Sequence, residues 1–287
     1  MMKYLSGIKE EALPVTALPA DEGTSVDELL AWVEKNREEV FAKVHESGAL
    51  LLRGFGFRDA SEFERFSRTL CPELQSYVGG NSPRHRVEGA VYTSTEYPPK
   101  ARISLHNEAS YLKEIPRHIM FFCEVPAEVG GQTPLADCRG ILSRIRDDVR
   151  ERFDTKKVRY VNNLNPGSGM GRSWQEAFES DDRSVVEERL KAGGYEYTWK
   201  PDGGLRTSIV ADATRRHPVT GEDVWINQAE QWHPSSLDPK TRQTLGTLMS
   251  EEEFPHYATF GDRNLGQGQL VQVVLIGLLR MDKGLYP

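Results

Sequence analysis

The chain has 287 residues, 36 Lys+Arg against 43 Asp+Glu, a formal net charge of -7, and 38% hydrophobic with 28% charged residues. That composition is one of a folded globular protein with room for one large domain or two small ones, not of a disordered or fibrous chain. Its acidity argues against nucleic acid as a partner, since general binding of that kind needs a basic face.

The opening stretch MMKYLSGIKEEALPV carries charges where a secretion signal needs an apolar run, and residues 1–23 read as an extended lead-in, with Pro14 and Pro19 disfavouring helix. TSVDELLAWVEKNREEVFAKVHESG reads as a helix, capped by Thr24 or Ser25 and striped by Val26, Leu29, Leu30 and Val33. ALLLRGF, from Ala49, is a short apolar run expected of a buried strand, and a second helix starts from Asp59. HIMFFCEV, from His118, reads as a strand closed by a turn at Gly130 and Gly131. A helix over RGILSRIRDDVRERF is expected next, then a strand at KVRYVNNL and a capped helix over DDRSVVEERLKAGG. YEYTWKPDGGLRTSIV and HPVTGEDVWINQ read as hairpins. No repeat or linker divides the chain, so the expectation is one domain, mainly β with flanking helices (α+β), around a sheet sandwich or barrel.

The cysteines Cys71, Cys123 and Cys138 are odd in number and lack C-x-x-C spacing, which suits thiols in a reducing compartment. The longest apolar run, LVQVVLIGLLRM from Leu270, is too short to span a bilayer. A cytoplasmic protein without membrane association is therefore expected. The sequence carries no signal of oligomeric state.

Chemistry enters at ISLHNEASY, Ile103 to Tyr111. With 7 His and 43 acids in the chain, roughly one His-x-acid pair arises by chance, so the pattern alone decides nothing. On a strand, positions i and i+2 share a face, which would aim His106 and Glu108 the same way and turn Asn107 to the other side. An imidazole and a carboxylate so placed are two corners of a 2-His-1-carboxylate site for ferrous iron; the bland alternative is a solvated strand end.

The neighbouring phrases weigh on that choice. LLRGF, YVGGNSPR, LHNEASY, FFCEVPAEVGGQTPLAD, GRSWQEAF and HPVTGEDVWINQ follow in one order between about Gly48 and Asp262. Together they make the chain resemble the TauD/TfdA family of Fe(II)- and 2-oxoglutarate-dependent dioxygenases, in its clavaminate-synthase-like branch. The resemblance implies a double-stranded β-helix (jelly-roll) core over residues 24–262, incomplete at its C-terminal end. It implies His106 and Glu108 as iron ligands and Thr133 as a hydrogen-bonding partner of 2-oxoglutarate. It also implies Arg84 near a small-molecule substrate, with O2 as co-substrate and succinate and CO2 as products. Asn227 and Gln228 lie on the same core and either face the pocket or satisfy buried backbone. Retention of the acid Glu108 favours oxygenation over halogenation, and an amino acid or a derivative is the expected substrate.

The resemblance stops abruptly after HYATFGD: residues 263–287 do not match, and the family's distal histidine and its 2-oxoglutarate arginine are missing. A truncated, frame-shifted or divergent C-terminus is the expectation there. None of His45, His85, His118, His217, His233 or His256 stands where the distal ligand should. Two alternatives follow: a catalytically impaired member that binds a ligand or partner through the same pocket, and a cupin-like metal protein that uses the pair without 2-oxoglutarate.

Overall fold

The computed structural model describes residues 2–5, 13–75, 84–94 and 103–261. The first half carries β1 (Met2–Leu5), β2 (Val15–Pro19), α1 (Val26–Ser47), β3 (Leu50–Leu52), α2 (Ala60–Leu70), β4 (Arg86–Glu88) and β5 (Val91–Tyr92). After residues 103–137, which are irregular, come α3 (Cys138–Leu142), α4 (Asp147–Lys156), β6 (Val158–Leu164), α5 (Trp174–Phe178), α6 (Arg183–Gly193), β7 (Glu196–Trp199) and β8 (Leu205–Ala211). The last elements are β9 (Thr214–Arg216), β10 (Asp223–Trp225), α7 (Ala229–Trp232), α8 (Pro239–Leu248) and β11 (His256–Phe260).

Local chemistry sets the first unit. Ser25 caps α1 in a reciprocal box: its Oγ accepts the Glu28 N–H at 3.2 Å, and Glu28 Oε2 accepts the Ser25 N–H at 2.8 Å. The helix ends where Gly48 takes φ +82°, a left-handed conformation that suits glycine. Its inward stripe of Val26, Leu29, Leu30, Val33 and Val40 meets Phe66 and Leu70 of α2 and Ala17 of β2. Strand β2 lies between β1, antiparallel, and β3, parallel. Within the lead-in, Met2–Leu5 and Val15–Pro19 are strands, and Val15 and Ala17 are buried.

The second unit is an antiparallel sheet in the order β11-β6-β8-β7. Inward residues of β8, Leu205, Thr207, Ile209 and Ala211, alternate with outward ones, as a strand covered on one face requires. Strand β6 is central, with Val158 opposite both Ala211 and Phe260, and is buried on most positions of both faces. Tyr160 and Phe260 of the sheet cluster with Tyr111, Phe153, Trp225 and Trp232. Their rings meet at centroid distances of 4.9 Å for Tyr111–Trp232, 5.2 Å for Tyr160–Trp232 and 5.1 Å for Phe153–Trp225, in tilted or edge-on pairs favoured by the ring quadrupole.

Several expectations need correction. Helical residues outnumber strand residues among those described, so the chain is mixed helix and sheet rather than mainly β. The described strands form sheets of four, three, two and two strands, and no closed β-helix is made by them. HIMFFCEV is irregular: Ile119 and Phe121 are exposed, so the apolar run lacks the ladder and the covered face that would make it a strand. The helix expected over 139–153 is two, α3 and α4, divided at Ser143–Arg146. The pair His106 and Glu108 stands on irregular chain entering a turn, not on a strand. Most of YVGGNSPR, Asp262 and the tail 263–287 lie outside the described residues. Among those described, no helix is long and apolar enough to cross a membrane.

His256 on β11 shows how the sheet tolerates a polar ring. Its Nδ1 donates to Asn162 Oδ1 of β6 at 2.7 Å, and its ring lies 4.9 Å from that of Trp232. Desolvation, with Arg172 nearby, pushes its pKa down to about 4. A depressed histidine pKa means that the unfolded chain takes up a proton the folded one refuses, so its contribution is complete above the ordinary value of 6.5 and is lost as pH falls towards 4. The urea midpoint of the wild-type chain should therefore fall more between pH 7 and pH 4.5 than that of His256→Gln.

Candidate metal centre at His106 and Glu108

The pair is aimed by what flanks it. After an extended run from Ile103, residues 108–111 turn, with Ser110 N–H donating to Asn107 O at 3.2 Å and Leu112 N–H to Ala109 O at 3.0 Å. Ala109 takes φ +56° to make the turn, a conformation that costs an alanine energy and that the surrounding packing must maintain. That packing comes from Tyr111, fully buried against Trp232 and Tyr160. Asn107 points inward too: its Nδ2 donates to Cys138 Sγ at 3.1 Å, and its Oδ1 accepts the Asn227 N–H at 3.3 Å. With Asn107 and Tyr111 committed inward, His106 and Glu108 are left to converge on the opposite side. The shared direction inferred from strand alternation is present without a strand.

His106 Nε2 stands 3.3 Å from Glu108 Oε2. Its other nitrogen, Nδ1, is 2.9 Å from Ser104 O, which also accepts from Gln231 Nε2 at 3.4 Å. A carbonyl only accepts, so Nδ1 carries a proton. Glu108 only accepts as well, so its hydrogen bond with Nε2 belongs to the doubly protonated ring and favours that form, raising the His106 pKa against the effect of burial. The neutral ring would keep the Nδ1 proton and offer its Nε2 lone pair to a metal. Arg84 supplies charge as well, its Nη2 donating to Glu108 Oε2 at 3.1 Å.

The other residues singled out from the sequence fall elsewhere. Asn227 is buried and spends its side chain on backbone, Nδ2 donating to Ala213 O at 3.2 Å and Oδ1 accepting the Ala229 N–H at 3.1 Å. Gln228 is buried; its backbone N–H donates to the Tyr160 hydroxyl at 2.8 Å, and its Oε1 has no hydrogen-bond partner among the described residues. Thr133 is exposed on the irregular connection that follows the left-handed Gly130 and Gly131. His217 Nδ1 accepts the Thr220 N–H at 3.1 Å in its turn, and His233 Nδ1 accepts the Ser235 N–H at 3.2 Å. Among the described residues, no group of three His, Cys, Asp or Glu is placed to hold a metal ion.

Two comparisons bear on this geometry. A family model described as "Taurine catabolism dioxygenase TauD, TfdA family" matches residues 11–262. The chain belongs to the TauD/TfdA family. This TauD/TfdA protein is 33% identical over 268 residues to the dapdiamide synthesis protein DdaC of Enterobacter agglomerans, covering 93% of the chain and 79% of that relative. It is 31% identical over 215 residues to the clavaminate synthase-like protein At3g21360 of Arabidopsis thaliana, covering 71% of the chain and 65% of that relative. It is therefore a dioxygenase-type enzyme of the clavaminate-synthase-like branch, and the family implies a jelly-roll fold.

The residues present fit iron at two positions. Two donors bound to one divalent first-row ion at about 2.1 Å stand roughly 3 Å apart, and Nε2 and Oε2 have that separation. The imidazole tautomer is already set by Ser104, as a metal-binding histidine requires. Sequence reasoning missed Arg84 as the partner of Glu108 and missed Asn107 as the clamp; the only signal for the clamp was a polar residue on the inward side of the H-x-E step. Asn107→Ala should lower stability by about 1 kcal/mol and weaken Mn(II) binding about tenfold, as read by denaturant titration and calorimetry.

Proposed function

We propose that the chain is a non-haem Fe(II)- and 2-oxoglutarate-dependent dioxygenase that hydroxylates, or desaturates, an unactivated C–H bond of a small molecule. Membership of the TauD/TfdA family supports the reaction class, and the convergence of His106 Nε2 and Glu108 Oε2 at 3.3 Å carries the assignment of the metal site. An amino acid or a derivative is the substrate class; one relative is named for dapdiamide synthesis and another as clavaminate synthase-like, which supports a small molecule over a macromolecule. The oxygenase unit is taken as 24–262, with the tail 263–287 apart from it, and three free thiols favour a cytoplasmic setting.

His106 would hold the metal through Nε2 while Ser104 O retains its Nδ1 proton, and Glu108 would hold it through Oε2. When bound, iron with 2-oxoglutarate and O2 supplies the oxidising chemistry, releasing succinate and CO2. The chain's own residues position and shield. Asn107 and Tyr111 fix the turn that aims the two ligands, and Glu108 fills with a carboxylate the place a halide would need. Thr133 is assigned to a carboxylate of 2-oxoglutarate by its place in GGQTPLAD. Gln228, whose buried Oε1 lacks a partner, is the better candidate of the 227–228 pair for a polar contact with a ligand. A catalytically impaired member is the less favoured reading, because the family match runs across the ligand pair and most of the chain.

Anaerobic addition of Fe(II) and 2-oxoglutarate should give a weak visible charge-transfer band. His106→Ala and Glu108→Ala should abolish it, whereas His256→Gln should retain it. Metal uptake by the wild-type chain with no band would favour a cupin-like metal protein, and no uptake would favour the impaired member.

A further inference from the structure

We propose that Arg84 is an internal competitor for the metal at Glu108, and that it makes divalent-ion binding depend on an anionic co-ligand. This deepens the iron-oxygenase reading and rests on it. Arg84 Nη2 donates at 3.1 Å to Glu108 Oε2, the same oxygen that lies 3.3 Å from His106 Nε2. The side chains are largely withdrawn from solvent, 11% exposed for Arg84, 19% for Glu108 and 24% for His106, so salt and water screen the pair poorly.

The guanidinium offsets the attraction of the Glu108 carboxylate for a dication. An ion held by that oxygen would have the guanidinium one hydrogen bond away. A hydrogen bond that orients a ligating carboxylate is worth about tenfold to a hundredfold in metal affinity. Repulsion between a guanidinium and a dication a few ångströms apart, in partly desolvated surroundings, outweighs that gain. A dicarboxylate dianion bound beside the metal would offset the two positive charges that the ion adds. Arg84 thus weakens the hold on the bare ion and enlarges the benefit of the dianion, and ion and dianion must then strengthen each other by the same factor.

Calorimetric titration of the full-length chain with Mn(II), alone and with saturating 2-oxoglutarate, tests this on wild type, Arg84→Lys and Arg84→Gln, with thermal melts to confirm folding. Arg84→Gln, which keeps a donor and loses the charge, should bind Mn(II) alone about tenfold tighter than wild type. The improvement caused by 2-oxoglutarate should shrink by a similar factor in that variant. Arg84→Lys should behave like wild type, and Arg84→Met serves as a second uncharged variant should Arg84→Gln fold poorly. Mn(II) binding that is unchanged or weaker in the uncharged variants overturns the proposal and leaves the oxygenase reading standing. Failure of every variant, wild type included, to bind Mn(II) overturns both.

Discussion

The commitment of Asn107 and Tyr111 to the interior is the constraint on which the site depends. Asn107 reaches Cys138 and the Asn227 backbone, and Tyr111 is buried against Trp232 and Tyr160. Between and before them, a turn with Ala109 at positive φ leaves His106 and Glu108 a single common side. The aromatic core over β6 and β8 therefore does more than stabilise the sheet. It anchors an irregular segment firmly enough for two side chains, neither of them in a strand, to meet.

Electrostatics then sets the character of the meeting point. A carboxylate shielded from water is unfavourable unless positive charge is close. The molecule meets that demand with a guanidinium from a distant part of the chain, 24 residues upstream of the acid. A metal ion would meet it more strongly. A guanidinium and a metal ion would make opposite demands on one oxygen, Glu108 Oε2.

Family membership supports the reaction class, and the geometry brings His106 and Glu108 together while placing the other polar residues differently. Asn227 is used up by Ala213 O and Ala229 N–H, so its polarity serves the turn into α7 rather than a ligand. Gln228, one residue on, keeps a buried carbonyl oxygen without a hydrogen-bond partner among the described residues, a costly arrangement that it shares with Trp232 Nε1. His256 is a structural ring within the sheet, held by Asn162 and Trp232 and kept neutral by burial. The mixed helix and sheet architecture has one antiparallel sheet as its organising layer and a helix-rich N-terminal unit built on α1 and α2.

Sequence alone determined what short-range chemistry decides: helix α1 with its cap at Thr24 or Ser25, the β7–β8 hairpin, the strand β6 and the H-x-E pair with its family context. These follow from side-chain periodicity, turn residues and hydrogen bonds only a few residues apart. Tertiary structure decided the rest. HIMFFCEV has the composition of a strand, yet a strand exists only when a partner offers backbone hydrogen bonds, and among the described residues it has none. Arg84 and Glu108 lie far apart along the chain, and no local pattern announces that they share an oxygen. Asn227 and Gln228 are adjacent and alike in polarity, and only the positions of Ala213 and Ala229 distinguish the satisfied amide from the unsatisfied one. Each of these outcomes depends on groups brought together by folding, which a sequence read one window at a time does not contain.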